Sequence, residues 1–252
     1  MSLFSALFGL LVLFIVVVIF LLSYKKTWRI VISSPLNWVI NVFYHRITLD
    51  KRRVAHFENH LQMFPWLNQI ETNWEGIRDE MLSFLQHGSG MNSVRTTGGD
   101  ELNKKGNWRM AMIFGYGKPI DEVKNSFPFT LSIIKKLPDV QNAAFSLLKA
   151  GGIIPPHVGS TASILRYHLP LIVPDNGKHS WLTVAGADIP WKEGKGILFD
   201  DTFEHSARNG ANKDRIVLII DIFRPNHSFI DRVIQKIEVW KRTQDFMSST
   251  QQ

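Results

Sequence analysis

Short runs of strand-forming residues, each closed by a tight-turn signal, fill the second half of the chain and restrict the folds open to it more than any other feature. The runs lie at 143–148, 164–171, 180–184, 196–199 and 216–223. Between them stand Lys149-Ala150-Gly151-Gly152, Pro174-Asp175-Asn176-Gly177, Lys192-Glu193-Gly194 and Asn209-Gly210-Ala211-Asn212. Gly, Asn and Asp tolerate positive φ and Pro presets φ near about −65°, so such clusters turn the chain back on itself. Strands of this length and spacing, with no helical periodicity between them, predict an all-β sandwich or barrel rather than βαβ units.

Upstream the pattern is helical. Thr72-Asn73-Trp74-Glu75 has the S/T-x-x-E form of a capping box, and Trp74, Ile77, Met81, Leu82 and Leu85 recur on one helical face that reads as core. Residues 88–107 are rich in Gly, Ser, Thr and Asn and read as a loop. Pro128 opens a further helix with Leu131, Ile134 and Leu137 as its apolar side, and Pro138 stops it.

Residues 3–22 carry no charge and are almost all Leu, Phe, Val and Ile. At about 1.5 Å per residue such a run spans the roughly 30 Å hydrocarbon layer. A secretory signal would bring a basic n-region, a shorter apolar run and a small-residue cleavage site, so the segment reads as a retained anchor. Lys25, Lys26, Arg29, Arg46, Lys51, Arg52 and Arg53 follow the span with no charge before it, which places the remainder in the cytoplasm. Residues 28–47 are apolar but broken by Pro35 and dotted with Asn37 and Asn41, and they carry Trp28, Trp38 and Tyr44, so they read as interfacial rather than as a second span. From Phe229 to Trp240 apolar residues recur at helical spacing among Arg232, Lys236, Lys241 and Arg242, a helix that either packs on the domain or lies on the bilayer. Zero cysteines exclude disulfides. A formal net charge of +7 beside a membrane span points to phospholipid or glycolipid phosphate as the anionic partner; no nucleic-acid motif is present.

Two histidines carry the chemistry. His157 follows Pro156, and His205 closes Asp200-Asp201-Thr202-Phe203-Glu204, with Arg166 and His168 after the first and Arg215 ten residues after the second. A strand pair that holds non-haem iron often supplies His-x-Asp/Glu from one strand and a distant His from another. Here the residue two after His157 is Gly159, which has no side chain. Singly, a histidine is more often structural and an arginine an ion-pair partner; it is their joint spacing that marks a site. His45, His56, His60, His87, His179 and His227 have no motif context and read as surface or interfacial residues.

Phe145-Ser146-Leu147, Pro156-His157 with Gly159, Leu165-Arg166-Tyr167-His168-Leu169, Trp191-Lys192-Glu193-Gly194-Lys195, Leu198 to His205 and Arg215-Ile216-Val217-Leu218 together resemble the aspartyl/asparaginyl β-hydroxylase family of 2-oxoglutarate-dependent oxygenases. Asn73 to Glu80, Tyr116-Gly117-Lys118-Pro119 and Asn142-Ala143-Ala144-Phe145 extend the resemblance to the bacterial branch that 2-hydroxylates lipid A.

The resemblance implies a double-stranded β-helix of the jelly-roll or cupin type with flanking helices and an N-terminal transmembrane helix. Its parts would be an anchor at 1–24, a juxtamembrane segment at 25–60, an oxygenase domain at 61–228 with its core at 140–225, and a C-terminal amphipathic helix and tail at 229–252. His157 and His205 would ligate Fe(II) without a carboxylate. Arg215 would pair with the distal carboxylate of 2-oxoglutarate, with Ser146, Arg166 and His168 completing that pocket. Asp201 would hold a water on the iron from outside the ligand set. O2, 2-oxoglutarate and Fe(II) would hydroxylate a fatty acyl chain of lipid A, or of a related acylated lipid, at the cytoplasmic face of a bacterial inner membrane. A protein Asp/Asn hydroxylase and an inactive membrane scaffold are the alternatives, and halogenation is a chemical option that Gly159 leaves open and the resemblance disfavours.

Overall fold

The computed structural model describes residues 54–87, 92–93, 107–115, 117–121, 123–159 and 163–225, together with Val233. The anchor expected at 1–24, the interfacial stretch at 28–47, most of the polar loop at 88–107 and the C-terminal helix expected from 229 onward lie outside the described residues. Among the described residues no helix is long and apolar enough to cross a membrane.

Strand β1 (His56–Phe57) precedes a helical layer of α1 (His60–Met63), a 3-10 turn at Pro65–Leu67, α2 (Asn68–Thr72) and α3 (Trp74–Gln86). Strands β2 (Asn92–Ser93), β3 (Trp108–Gly115) and β4 (Lys118–Pro119) and helix α4 (Pro128–Ile134) follow. Eight more strands complete the fold: β5 (Val140–Leu148), β6 (Ile153–His157), β7 (Ile164–Ile172), β8 (Ser180–Val184), β9 (Ala187–Pro190), β10 (Ile197–Phe199), β11 (His205–Asn209) and β12 (Arg215–Phe223).

These eight divide between two antiparallel sheets. One runs β1-β10-β7-β12-β5-β3-β2 with β4 on the side of β3, and the other runs β6-β11-β8-β9. Numbered from β5 as the first, the order is 6-3-8-1 in one sheet and 2-7-4-5 in the other, the double Greek key of a jelly roll. The described residues are therefore mainly β, with antiparallel sheets and helices packed on the outer face of the larger one.

Two apolar layers hold this together. Phe145, Leu147, Leu165, Tyr167, Leu169, Leu171, Leu198, Leu218 and Ile220 face the helices and meet Leu67, Ile70, Ile77, Met81, Phe127 and Ile134. Leu148, Ile154, Leu182, Val184, Trp191, Ile197, Phe199 and Val217 fill the space between the sheets. Alternation along a strand assigns these sides: on β12, Ile216, Leu218, Ile220 and Ile222 face the helices, so Arg215, Val217, Ile219 and Asp221 face the other sheet. The same parity on β7 turns Tyr167 outward and Arg166 and His168 inward, and on β5 it turns Ser146 inward.

Local chemistry departs from expectation in three places. The capping box at Thr72 does not form: Thr72 ends α2 and its hydroxyl donates to the Asn68 carbonyl at 2.8 Å, while Asn73 precedes α3 with its amide donating to the Gln69 carbonyl at 2.8 Å. A helix immediately upstream offers carbonyls closer than the backbone donors of α3. On α3 the fully packed residues are Ile77, Met81 and Phe84, so Phe84 takes the role expected of Leu82. Helix α4 ends at Ile134, before Pro138 is reached. The turn at Pro174–Gly177 is as expected, with φ of 56° at Asp175, 52° at Asn176 and 78° at Gly177.

Phe145 is fully buried, with its ring 4.8 Å from that of Phe127, and joins β5 to the helical layer. Phe145→Ala should cost about 3–5 kcal/mol of unfolding free energy in urea titrations. A loss below about 1 kcal/mol would contradict the packing described.

Candidate active site

The two sheets bring His157 and His205 opposite each other. His157 ends β6, His205 begins β11, and the two are direct partners across the ladder. Their ring centroids are 4.2 Å apart. The Nδ1 of His157 lies 2.9 Å from the Pro155 carbonyl and the Nδ1 of His205 lies 2.9 Å from the Phe203 carbonyl. A carbonyl only accepts, so each Nδ1 carries the proton and each Nε2 keeps its lone pair, the tautomer that suits a metal ligand. Burial moves the His157 pKa down to about 4, with the Arg166 charge adding to the effect. Burial and the neighbouring His157 hold His205 well below its usual range. Both imidazoles are neutral at pH 7, as metal ligation requires.

No group of three or more His, Cys, Asp or Glu side chains suited to a metal occurs among the described residues. Gly159 explains part of this. Its backbone N–H donates to the Asp201 carbonyl at 2.7 Å, and a Cβ at position 159 would overlap the Asp201 carboxylate. The place of the usual third ligand is therefore taken by a carboxylate arriving from the segment before His205. That carboxylate is shared, since Arg166 Nη1 lies 3.3 Å from it.

Arg166 makes its principal pair elsewhere. Its Nε donates to Asp221 at 2.8 Å and its Nη2 donates to the same carboxylate at 3.2 Å, across the β7–β12 register that sets Arg166 opposite Asp221. Burial opposes the Arg166 charge, but Asp221 and Asp201 more than offset it and raise its pKa above the usual value. A second pair, Arg224 with Asp200 at 2.8 Å, is buried alongside. Asp200 also accepts from the Thr202 backbone at 3.1 Å, which fixes the segment that leads to His205.

Arg215 has the opposite character. It is 1 % exposed, and its Nε and Nη2 have no hydrogen-bond partner among the described residues. Burial alone pulls its pKa down to about 9, so it remains a cation at neutral pH. A buried guanidinium without an anion is costly, and a planar fork of donors is matched best by a carboxylate. His168 is similar, buried with neither ring nitrogen partnered among the described residues. Its pKa is held well below the usual range by burial, then by Arg166 and Arg215. Ser146 is buried on β5 and its hydroxyl accepts from the Trp108 indole at 2.9 Å.

The site is thus a lined slot between the sheets. From the histidine pair, Phe199 lies edge-on to His205 at 5.2 Å and to His168 at 5.0 Å; Trp191 stacks on His168 at 5.5 Å; and the Arg215 guanidinium lies 4.9 Å from the centre of the Trp191 ring. A metal would sit at one end and an anion at the other. The donor set fits both: two neutral imidazoles suit iron(II), and Arg215 suits a carboxylate held apart from the metal.

All seven residues singled out from the sequence lie on this inner face or on the segment between β10 and β11. Sequence reasoning missed Asp221, Arg224 and Trp108, and it gave no site role to Asp200 and Trp191, which it met only as members of motif blocks. Asp221 did leave a signal, as the one charge inside the apolar run 216–223. His60 also differs from the surface role expected of it, since its Nε2 lies 2.7 Å from the buried Glu71 carboxylate, which accepts from the Tyr167 hydroxyl at 3.2 Å.

Comparison with known proteins bears on this slot. The sequence profile of the Aspartyl/Asparaginyl beta-hydroxylase family matches residues 71–225. The ornithine lipid ester-linked acyl 2-hydroxylase of Rhizobium tropici is 31% identical over 164 residues, which are 64% of this chain and 58% of that protein. The aspartyl/asparaginyl beta-hydroxylase of Homo sapiens is 28% identical over 190 residues, 69% of this chain and 24% of that protein. The chain thus spans less than two thirds of either relative's length. A cupin 2 conserved barrel domain protein from Salinispora arenicola aligns with 59% of this chain and 92% of its own at 10% identity and a TM-score of 0.34. The fold assignment rests on the strand pairing above.

The depressed histidine values have a consequence for stability. An unfolded histidine protonates near pH 6.5, whereas the folded His157 resists protonation down to about 4. Between these values the unfolded state binds more protons, so metal-free protein should lose stability as pH falls from about 6.5 toward 4, by up to about 1.4 kcal/mol per pH unit for each such group. Urea unfolding at pH 7, 6 and 5 should show this slope, and His157→Gln should flatten it. An unaltered slope in that variant would place the imidazole in solvent.

Proposed function

The chain belongs to the aspartyl/asparaginyl β-hydroxylase family, and from that premise we propose that it is an iron(II)- and 2-oxoglutarate-dependent dioxygenase that 2-hydroxylates a fatty acyl chain of lipid A or a related acylated membrane lipid. The observation that carries the cofactor reading is Arg215: a buried guanidinium with unpartnered donors, joined by a row of rings to a neutral histidine pair. When bound, iron(II) with O2 and 2-oxoglutarate supplies C–H hydroxylation, with succinate and carbon dioxide as the other products.

The chain's own residues divide the remaining work. His157 and His205 would hold the metal through Nε2, their orientation set by the carbonyls of Pro155 and Phe203. Arg215 would take the distal carboxylate of the cosubstrate through paired N–H donors. His168 and Ser146 face the same slot. Arg166, braced by Asp221 and Asp201, would set the charge beside the histidine pair. The Asp201 carboxylate against Gly159 would accept a hydrogen bond from a water at the open face. The same negative charge opposes a halide at that place, so hydroxylation should not depend on chloride.

The substrate class follows from other features. A relative whose name gives an ester-linked lipid acyl chain as its target supports a lipid. The uncharged run at 3–22, followed by basic residues, supports a chain anchored in a bacterial inner membrane with its oxygenase domain in the cytoplasm. An enzyme so placed meets an acyl chain without extracting it from the bilayer. The second reading, hydroxylation of Asp or Asn side chains in a protein, is favoured by the human relative.

Mass spectrometry of lipids from cells with and without the full chain separates these readings. One added oxygen on an acyl chain supports the first, whereas unchanged lipids and a hydroxylated Asp or Asn peptide support the second. In either case His205→Ala should abolish iron-dependent succinate formation. Arg215→Ala should raise the KM for 2-oxoglutarate by about a hundredfold or more while the variant keeps its metal. Full turnover by the first variant, or an unchanged KM in the second, contradicts the assignment.

A further inference from the structure

Trp191 is a slot residue with no role in the assignments above. It is 1 % exposed and follows β9, with its backbone clamped from two sides. Gly177, at φ 78°, passes so near the Trp191 carbonyl that a Cβ there would collide with it. The Gly194 N–H donates to the Pro170 carbonyl at 3.0 Å and the Val173 N–H donates to Glu193 at 2.8 Å, which ties the turn after Trp191 to the end of β7. The indole is consequently held in one position, parallel to His168 within 9° and beneath the guanidinium of Arg215.

Its Nε1–H has no hydrogen-bond partner among the described residues. Were Trp191 only a core filler, that donor would be a net loss, since buried indole N–H groups are normally satisfied and Phe packs a similar slab without one. Among the described residues, the two groups that touch the ring also have buried donors left unpartnered: Arg215 through Nε and Nη2, and His168 through whichever nitrogen is protonated. Three adjacent side chains with unsatisfied donors describe a cradle for an anion with several acceptor oxygens.

We propose that Trp191 is a further cosubstrate-binding residue, its indole N–H donating to the distal carboxylate of a 2-oxo dicarboxylic acid while its ring face holds the Arg215 guanidinium against the same group. This rests on the reading of the slot as a 2-oxoglutarate site. It adds selectivity for a dicarboxylate over a 2-oxo monocarboxylate, because the contact is made at the end of the cosubstrate that a monocarboxylate lacks.

The test is equilibrium binding to full-length protein loaded with Mn(II), a redox-inert stand-in for iron(II), by calorimetry. 2-Oxoglutarate should bind Trp191→Phe about tenfold or more weakly than wild type. 2-Oxobutyrate, which has the same 2-oxo acid end and no distal carboxylate, should bind the two proteins alike, as should Mn(II). Equal 2-oxoglutarate affinity overturns the proposal and leaves the site reading intact. Equal weakening toward both acids also overturns it, since only loosened packing would do that. If wild type binds no 2-oxoglutarate, the reading beneath the proposal fails instead. Should Trp191→Phe fail to fold by circular dichroism, the same titrations with Trp191→Tyr, which keeps an aromatic slab and displaces the donor, decide in the same way.

Discussion

Strand β12 is buried on both faces, and the remainder of the molecule is arranged around that constraint. Its helix-facing residues Ile216, Leu218, Ile220 and Ile222 must be apolar because the helical layer covers them. Its other face shares the space between the sheets with β7 and β5. A strand has only two faces, so once one is committed to packing, every functional side chain must take the other parity. Arg215, Val217 and Asp221 do so, and the antiparallel register then sets Asp221 against Arg166 and Val217 against Ser146. A one-residue slip would exchange the faces and bury isoleucines where the charges now stand.

Charge in this space is distributed unevenly. Near the histidine pair, Arg166 is held by Asp221 and Asp201, and Arg224 by Asp200, so cations there are compensated by the protein itself. At the far end Arg215 rests on a ring face with donors left over. The protein thus carries an unbalanced positive charge at the place where a carboxylate would bind and neutral imidazoles where a cation would. A slot of this kind favours the simultaneous presence of a metal ion and a dianionic ligand, because the pair brings no net charge into a low-dielectric interior.

Much of the fold was legible because turn chemistry is local. Pro174-Asp175-Asn176-Gly177 and Lys192-Glu193-Gly194 need no partner to bend, and the apolar runs they separate became β7, β8, β10 and β12. Of the strands that escaped notice, two carry weak local signals: β6 contains Pro155 and Pro156, and β11 reads His-Ser-Ala-Arg-Asn, whereas β3 was missed although it carries the apolar run Met110 to Phe114. Strands β6 and β11 pair because the sandwich gives them neighbours. Trp191, Trp108 and Asp221 belong to the same class, since what makes them part of the site is the company supplied by distant segments. Glu71 and His60 meet Tyr167 across about a hundred residues of chain, and no spacing rule anticipates that.

By itself the sequence determined the β-rich architecture, the pairing of two histidines with a later arginine, and the absence of a carboxylate two residues after His157. Each is a local property, readable from turn residues, strand alternation or the identity of one side chain. Only the tertiary structure decided that the Asp201 carboxylate lies against Gly159, that Arg166 is spent on Asp221 while Arg215 is not, and that Trp191 meets both His168 and Arg215. These are contacts between strands far apart in the chain. Their energies depend on burial and on which groups are left without partners, quantities that come into being only when two sheets close over one another.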